Sequence, residues 1–274
     1  MVLTRRAALK GLAVTAVGTA TGAGIYGVAY ERHRIGVTEL ELPVAGLPTP
    51  LDGLRIGFIT DIHHSELVPA ADVARAVDLI LGTRPDVIVL GGDYVTRGDR
   101  AFMEPVAELL APLTAPLGVF AIVGNHDDDR EMPAALSRVG FSVLRDQRTA
   151  LVVRGEPLTI AGIRFWTRRA ADIARVLRGA TGTTLMLAHD PRRLTEAAAL
   201  NVPAVLAGHT HGGQVVLPGY GAVAKNRFPV ISGLGSLENT TMFVSRGVGT
   251  VYVPIRINCP PEVALITLRP RPQA

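Results

Sequence analysis

The sequence Leu54-Arg55-Ile56-Gly57-Phe58-Ile59-Thr60-Asp61-Ile62-His63 joins an apolar run to two polar side chains. A short run that is apolar almost throughout is typical of a strand buried on both faces. Asp61 and His63 follow directly after this strand, at the edge of the sheet that it would belong to. The stretch therefore predicts a buried strand that ends in two residues able to bind a metal ion.

The same arrangement, an apolar run followed by a polar cluster, recurs four times. The clusters are Gly92-Asp93 after Val87–Leu90, Gly124-Asn125-His126-Asp127 after Val119–Val123, His189 after Thr184–Ala188, and Gly208-His209-Thr210-His211 after Ala204–Ala207. Strand ends hold side chains more rigidly than loop centres do, and a glycine before the polar residue lets the backbone turn sharply. We therefore expect these distant residues to meet at one edge of a sheet.

Helical patterns separate the strands. Val73, Ala76, Val77, Ile80 and Leu81 recur with the spacing of an amphipathic helix. Further helices are predicted at Phe102–Leu110, Glu131–Val139, Ala170–Leu177 and Arg192–Leu200. Further strands are predicted at Leu40–Pro43, within Val143–Gly162 with a turn at Gly155-Glu156-Pro157, and at Met242–Ser245, Val251–Pro254 and Val263–Leu268. Alternating strands and helices, followed by strand-rich segments, indicate a mixed α/β layered domain.

The polar clusters combine imidazole, carboxylate and amide groups, which borderline and hard divalent metals accept as ligands. Two such metals that share a carboxylate form a clamp for in-line displacement at phosphorus. A lone histidine after a strand is more often structural, and one Asp-x-His motif is weak evidence. Five elements in this order, each ending a predicted strand, have no comparable structural explanation. The residues alone thus point to a two-metal phosphoesterase.

The motif series resembles the calcineurin-like metallophosphoesterase superfamily over Leu54–Leu268. Four further features resemble an envelope branch of that family, namely an Arg-Arg leader, Gly92–Val95, Ser245-Arg246-Gly247 and Pro254-Ile255-Arg256. This branch includes wall-associated phosphoesterases and is similar to diacylglucosamine pyrophosphatases. The resemblance implies a four-layer αββα sandwich of two mixed β-sheets flanked by helices.

The resemblance also implies a role for each polar residue. The implied ligands are Asp61, His63 and His211 for the first metal, Asn125, His189 and His209 for the second, and Asp93 as the bridge between them. We expect Asp93 to offer one oxygen to each metal, and a hydroxide shared by the metals to be the nucleophile. His126 matches a histidine that binds no metal and either stabilises the phosphoryl oxygens or protonates the leaving alkoxide. The implied cofactors are two divalent ions of manganese, iron or zinc.

Three further polar residues lie next to these positions. His64 follows His63 in an extended segment, so its side chain should point away from the metals, towards the rim or behind the ligands. Asp127 and Asp190 each either orient an imidazole or cap a helix. Capping is favoured for Asp190, because Pro191 suits a first helical turn.

Residues 1–35 are predicted to be a signal or anchor segment. Arg5-Arg6 and Lys10 precede Gly11–Tyr30, about twenty uncharged residues rich in alanine and glycine. This pattern is typical of an export signal and resembles a twin-arginine signal; the alternative is a buried helix after a chance Arg-Arg pair. The stretch is just long enough to span a bilayer. We expect the twin-arginine machinery to export the metallophosphoesterase domain, residues 36–274, which is then tethered to the membrane or released into the cell envelope.

The formal charge of +4 is concentrated in this segment. Residues 1–34 hold five basic side chains against Glu31 alone, and the rest of the chain carries equal numbers of acidic and basic residues. No basic surface for nucleic acid follows from that balance. Cys259 is the only cysteine, which excludes an intrachain disulfide.

The sequence therefore predicts a metal-dependent phosphoric ester hydrolase that acts outside the cytoplasm. Its substrate is expected to be a phosphomonoester, phosphodiester or pyrophosphate, and location favours lipid-linked or wall-linked phosphates. Two alternatives use the same residues. A metal-stabilised, non-catalytic cell-wall-binding module would not need His126, and a nuclease would need a basic surface.

Overall fold

The computed structural model describes residue 18 and residues 21–223 and 227–272. The predicted twin-arginine motif and most of the apolar stretch after it lie outside these residues. Within the described ranges, no helix combines the length and the apolar character that crossing a bilayer requires.

Strands and helices alternate along most of the described chain. The strands are β1 (Gly36–Val44), β2 (Arg55–Ile59), β3 (Val87–Leu90), β4 (Val119–Ala121), β5 (Ser142–Val143), β6 (Gln147–Val153), β7 (Glu156–Ile163), β8 (Thr183–Ala188), β9 (Ala204–Ala207), β10 (Val216–Leu217), β11 (Gly221–Ala222), β12 (Gly233–Leu237), β13 (Thr240–Val244) and β14 (Glu262–Pro270). The α-helices are α1 (Ala70–Gly82), α2 (Met103–Leu110), α3 (Glu131–Arg138), α4 (Ala170–Leu177) and α5 (Leu194–Ala199). Residues 21–29 are also helical.

The strands form two six-stranded mixed sheets and a small hairpin, β10–β11. The first sheet has the order β1-β14-β2-β3-β4-β5, in which only the β14–β2 pair is antiparallel. The second has the order β12-β13-β9-β8-β7-β6, with antiparallel pairs at its two ends and parallel pairs between them. The parallel strands β2, β3 and β4 therefore end at one edge of the first sheet, and β8 and β9 at one edge of the second.

The interior between the sheets arises because alternate residues of a strand face opposite sides. On β2, Ile56 and Phe58 face the second sheet and belong to one buried cluster with Leu185 and Leu187 of β8. Phe58 also packs edge-on against Phe243 of β13, with 6.3 Å between the ring centres. Each fully buried side chain of this size stabilises the fold by about 2 kcal/mol. This interior holds the two sheets face to face.

Helices cover the outer face of each sheet. Helices α1 to α3 pack on the first sheet through residues such as Ile80 and Leu110, and α4 and α5 pack on the second through Ile173 and Leu194. Gly57 lets α1 approach β2, because an added Cβ would lie 2.9 Å from Ile80 Cγ1. The predicted four-layer αββα sandwich is confirmed.

The strand predicted at Val251–Pro254 is wrong. Val251 donates its N–H to Oε1 of Gln214 at 2.8 Å, Val253 donates to the carbonyl of Val251, and Tyr252 has a φ of +60°. A β-branched run favours an extended chain, but it forms a strand only where a neighbouring strand completes its hydrogen bonds. Here the N–H groups bond to a side chain and to a local turn instead.

The hairpin turn predicted at Gly155-Glu156-Pro157 lies slightly earlier in the structure. Arg154 and Gly155 form the turn, with φ of 51° and 85°, and Glu156 already pairs with Val153. Two positive φ values are typical of the two-residue turns that match the twist of a hairpin.

Residues 27–35 pack against the body of the protein. Arg256 donates its backbone N–H to the carbonyl of Gly27 at 3.2 Å, and Cys259 donates to the buried carboxylate of Glu31 at 2.6 Å. His33 contacts Asp72 of α1 at 2.6 Å, and Ile35 is buried. The compact part of the chain therefore begins before residue 36, at about Gly27, while the signal or anchor role of the leader stays a prediction.

Candidate active site

The polar clusters lie together at the edge where the strands of both sheets end. The first sheet supplies Asp61 and His63 after β2, Asp93 after β3, and Asn125 and His126 after β4, and the second supplies His189 after β8 and His209 and His211 after β9. Parallel strands deliver their carboxyl ends to one edge, so the fold gathers residues that are about 150 positions apart in sequence.

Asp61, His63 and His211 form one group, in which the ligand atoms lie within 4.8 Å of one another and all three residues are buried. Nε2 of His63 lies 3.1 Å from Nε2 of His211, and the latter lies 3.4 Å from Oδ1 of Asp61. Two imidazole nitrogens and a carboxylate oxygen that converge in this way suit a divalent cation.

Asp93, His189 and His209 form the second group by the same measure. His189 donates its Nδ1 hydrogen to the carbonyl of Gly91 at 2.8 Å, which leaves Nε2 as the ligand atom. Oδ1 of Asn125 is buried and has no hydrogen-bond partner among the described residues. A buried amide oxygen without a partner is costly, and a cation would satisfy it, so the residues present fit a second metal.

Asp93 lies between the two groups. Its Oδ2 is 3.0 Å from Nε2 of His189 and 3.6 Å from Nε2 of His63. Its Oδ1 accepts the backbone N–H of His126 at 2.9 Å. Oδ2 therefore faces both groups, while Oδ1 accepts the N–H of His126; the expectation of one oxygen for each metal stays a prediction.

The backbone at this edge is strained. Non-glycine residues with positive φ are uncommon because the Cβ atom crowds the backbone, and such residues concentrate at functional sites. Five of the proposed ligands have a φ between 50° and 74°, namely Asp61, His63, Asp93, His209 and His211. Glycines make room beside them: an added Cβ at Gly124 would overlap Oδ1 of Asp93, and one at Gly208 would overlap Oδ2 of Asp61.

His126 lies beside the first group, with its ring centre 5.0 Å from that of His63. The backbone N–H of Arg97 donates to Nδ1 of His126 at 3.1 Å. The neutral ring therefore carries its hydrogen on Nε2, which lies 3.5 Å from the Tyr252 hydroxyl. Burial lowers the pKa of His126, which favours this neutral form. The ring can donate a hydrogen bond to an oxygen bound at the metal groups.

A family model described as calcineurin-like phosphoesterase matches residues 54–213 of the chain, more than half of its length. The chain belongs to this family. It is 30% identical over 280 residues to the uncharacterized metallophosphoesterase YkuE of Bacillus subtilis, covering 97% of this chain and 98% of that protein. The family resemblance predicted from the motifs is confirmed, whereas the envelope branch stays a prediction.

Two further relatives share this family. The phosphodiesterase YaeI of Escherichia coli is 30% identical over 229 residues, which cover 78% of this chain and 82% of that protein. A transmembrane protein with a metallophosphoesterase domain from Danio rerio is 30% identical over 265 residues, which cover 89% of this chain and 60% of that protein. The chain is a metal-dependent phosphoester hydrolase.

The histidines of this metallophosphoesterase site differ in charge. Burial lowers the pKa of His63 to about 3, lowers that of His209 to about 4, and holds that of His211 well below its usual range. Burial also opposes protonation of His189, but the carboxylates of Asp93 and Asp61 outweigh it and raise the pKa of His189 to about 10. Three imidazoles are therefore neutral at pH 7, and the fourth carries a proton in the absence of metal.

The two buried carboxylates respond in opposite ways. Burial raises the pKa of Asp61 to about 6, partly offset by the charge of His189. Burial also acts to raise the pKa of Asp93, but the charge of His189 outweighs it and holds that pKa below its usual range. Asp93 is thus the more firmly ionised of the two, which suits a ligand placed between two cations.

The sequence predicts that Asp127 orients an imidazole or caps a helix, and in the structure it does neither. Its carboxylate accepts backbone N–H groups from Asp93, Tyr94 and Gly124, each at 2.8 Å. These bonds tie the loop after β3 to the loop after β4, so Asp127 orients the backbone that carries Asp93 rather than an imidazole or a helix. Burial, reinforced by the charge of Asp93, raises the pKa of Asp127 to about 7.

The other two neighbouring residues behave as expected. Asp190 caps the short helical turn Pro191–Arg193 by accepting the N–H of Arg192 at 2.9 Å, and it also pairs with the Arg192 guanidinium. His64 points away from the ligand groups, because its Nδ1 bonds to the carbonyl of Val68 at 2.9 Å and its ring packs on Phe102.

The sequence gives no role to three residues at this site. The guanidinium carbon of Arg97 lies 4.9 Å from the ring centre of Tyr252, a residue for which the sequence predicts only a strand. Arg256 is fully buried and donates to the carbonyls of Arg246, Gly247 and Gly249. The motif Pro254-Ile255-Arg256 includes Arg256 but does not show what it binds; no motif marks Arg97 or Tyr252.

Proposed function

We propose that the protein is a two-metal phosphodiesterase. The observation that carries this proposal is Oδ2 of Asp93, which lies within 3.6 Å of a ligand nitrogen from each group. In the proposal, Asp61, His63 and His211 hold one ion, and Asn125, His189 and His209 hold the other. Their positions at strand ends keep the ligand atoms fixed before substrate arrives.

Two divalent ions bound there would activate a water molecule and neutralise charge on the phosphoryl oxygens. The chain's own contribution is positional. Asp93 places its Oδ2 between the two ligand groups, and the bond from the His126 N–H to its Oδ1 holds the carboxylate in that orientation. His126, held by the Arg97 N–H, presents Nε2–H to a phosphoryl or leaving-group oxygen, where a hydrogen bond to developing negative charge stabilises the transition state.

We further propose that the protein acts outside the cytoplasm, on phosphates of the cell envelope. The uncharged stretch Gly11–Tyr30 behind two arginines supports this location. The described part of that stretch keeps Ile25, Tyr26, Val28 and Tyr30 exposed, and tyrosines with exposed apolar neighbours suit a membrane surface. Fractionation of cells that express the full chain tests the location; recovery only in the cytosol would contradict it.

Hydrolysis of bis(p-nitrophenyl) phosphate by purified protein, with and without added Mn²⁺ or Zn²⁺, tests the chemistry. Asp93→Asn removes the negative charge between the groups, and we expect it to lower kcat/KM by at least about 1,000-fold and to lower the bound metal measured by mass spectrometry. His126→Ala should lower kcat about 100-fold while metal content stays at the wild-type level.

The matched control is Val152→Ala, at an exposed residue of β6, which should leave both measurements unchanged. Full activity in both Asp93→Asn and His126→Ala would overturn the two-metal mechanism.

A further inference from the structure

Two cavities flank the candidate active site, and they differ in chemistry. One, of about 560 Å³, reaches His209 and His211 and is walled by Val223, Phe228 and Ile231. It also contains Val251, Val253 and, as its cation, Arg227. Thr210 and Gln214 add two polar side chains, but most of its wall is apolar, which suits an apolar substituent.

The second cavity, of about 500 Å³, has the more polar wall of the two. Hydroxyl and charged side chains predominate in it, namely Ser65, Glu66, Thr96, Arg97, Asp99 and Thr250, while Leu67 and Phe102 are its apolar members. Hydrogen-bond donors and acceptors at this density suit a hydroxylated or charged substituent, because such a wall leaves polar groups unpaired when an apolar group fills it.

Tyr252 is the partition between the cavities, since its side chain lines both. It is 61% exposed, and its φ of +60° is strained for a residue of this size. Its ring lies under the Arg97 guanidinium, and its hydroxyl faces Nε2 of His126. The loop therefore places the ring of Tyr252 between the two cavities and next to His126, the one proposed catalytic side chain that binds no metal.

The side on which His126 lies sets the direction of the reaction. Arg97 and Thr96 line the polar cavity; the N–H of Arg97 bonds to Nδ1 of His126, and the hydroxyl of Thr96 lies 3.3 Å from Nδ1 of His63. Of the cavity residues in contact with His126, Arg97 lines the polar cavity and Tyr252 lines both. We therefore assign the leaving group, whose oxygen would accept a hydrogen bond from Nε2 of His126, to the polar cavity. The substituent that stays on phosphorus then occupies the apolar cavity.

We propose that the substrate is an asymmetric phosphodiester, with an apolar group held against Val223, Phe228 and Val253 and a polar alcohol held beside Arg97. This inference rests on the proposed phosphodiesterase function and adds which bond is cut. The oxygen of one water bonds to phosphorus and the P–O bond to the polar alcohol breaks. The two water protons end on the released alcohol and on the phosphate monoester of the apolar group.

Octyl glyceryl phosphate, hydrolysed in ¹⁸O-labelled water with added Mn²⁺, distinguishes the two possible cuts. Mass spectrometry should find octyl phosphate with one ¹⁸O and unlabelled glycerol. Burial of one methylene group is worth about fourfold in kcat/KM. With half of the octyl group buried in the apolar cavity, kcat/KM for octyl glyceryl phosphate should exceed that for methyl glyceryl phosphate by at least about 100-fold.

Val253→Asp places a charge on the apolar wall at a residue that is 56% exposed, where folding tolerates it. We expect Val253→Asp to lower the ratio of kcat/KM for the octyl diester to kcat/KM for the methyl diester by at least about tenfold. Val152→Asp is the matched control, because it makes the same change at an exposed valine of β6 that lines neither cavity. It should keep both the preference and the hydrolysis of bis(p-nitrophenyl) phosphate.

The inference would be overturned if labelled glycerol phosphate and octanol were released in equal or larger amount. It would also be overturned if the enzyme showed no preference for the octyl chain, or if both valine variants lost that preference equally. If bis(p-nitrophenyl) phosphate is hydrolysed in that case, the proposed function stands and only the assignment of the two cavities fails. If no phosphodiester is hydrolysed with any added metal, both proposals fail.

Discussion

At the scale of single residues, Asp93 meets two separate demands with its two oxygens. Oδ1 accepts the N–H of His126, and Oδ2 faces His63 and His189. The sequence predicts Asp93 as the shared ligand but not that Oδ2 faces both groups, because that depends on the backbone turn after β4 that carries the N–H of His126. The identity of a ligand can be predicted from a motif, whereas the geometry of its atoms depends on contacts across the fold.

His189 makes metal uptake dependent on pH. Its pKa is raised to about 10 by the Asp93 and Asp61 carboxylates, against the effect of burial, so metal-free protein holds a proton there at pH 7.5. A metal ligand must be neutral imidazole. The pKa of Asp61 is raised to about 6 and that of His189 to about 10. Between these two pH values, metal affinity should therefore rise about tenfold per pH unit, because binding releases the one proton of His189.

Calorimetry in buffers of different ionisation enthalpy measures the protons released on metal binding. We expect one proton from His189 at pH 7.5, and more below pH 6, where Asp61 is also protonated. His64→Gln is the control, since His64 bonds to a backbone carbonyl away from the ligands, and it should release the same number of protons as the wild type. Zero protons released at pH 7.5 would contradict the raised pKa of His189.

Gly124 cannot carry a side chain without moving Asp93, because its Cβ would overlap Oδ1 of that residue. We expect Gly124→Ala to lower kcat/KM at least about 100-fold and to lower the bound metal. Gly82→Ala provides the comparison, since Gly82 ends α1 with open space around it, and alanine there should leave activity unchanged. Equal activity in the two variants would show that the loop after β4 yields at no cost.

At the scale of elements, Asp128 fixes the start of α3. Its Oδ1 accepts the N–H groups of Arg130 and Glu131 at 2.9 Å each, and these bonds lower the pKa of Asp128 below the usual 3.8. Asp128→Ala should therefore destabilise the protein by about 1 kcal/mol at pH 7.

The effect of Asp128 should depend on pH in one direction. A carboxyl whose pKa is lowered by folding contributes stability above the unfolded pKa of 3.8, and that contribution is lost as the pH falls through the folded pKa. Urea denaturation at pH 7 and pH 3 measures the difference between Asp128→Ala and wild type, which should shrink at pH 3. Glu108→Ala, at an exposed residue of α2, should show little difference at either pH.

The elements that the sequence predicted well are those whose own residues decide them. Strand β2 is apolar almost throughout, and helix α1 has apolar residues at helical spacing, so each pattern predicts its own element without knowledge of the rest of the fold. The segment Val251–Pro254 shows the opposite case, because its conformation depends on the side chain of Gln214, which bonds to Val251 and Val253 and which no local pattern reveals. The sequence likewise leaves the role of Asp127 open, since two of its three backbone partners, Asp93 and Tyr94, lie 34 and 33 residues away in the loop after β3.

At the scale of the whole molecule, residues 27–35 contribute to stability although the sequence assigned them to the leader. Ile35 is buried, and the carboxylate of Glu31 satisfies the N–H of Cys259. A chain that starts at residue 36 should be less stable than one that starts at residue 27 by about 3 kcal/mol, from the lost apolar burial and the unpaired N–H.

Urea denaturation of the two shortened chains measures this difference. A chain from residue 27 with Arg34→Gln, at an exposed residue, should match its parent and serves as the control. Equal midpoints for the chains that start at residues 27 and 36 would show that the contacts of Glu31 and Ile35 add nothing to the fold.

The metal-binding edge joins the two sheets as well as serving hydrolysis. Asp61 comes from the first sheet, yet it accepts the backbone N–H of His209 from the second at 2.9 Å, and each ligand group draws on both sheets. Neither half of the chain therefore holds a complete site. Cut at the turn Arg154-Gly155 and separated, the two fragments would each be inert, because β14 would be missing from between β1 and β2 and β6 would be parted from β7. Hydrolysis would return only as fast as both sheets are rebuilt from the two fragments, so the recovery of turnover would measure the rate at which the strands pair again.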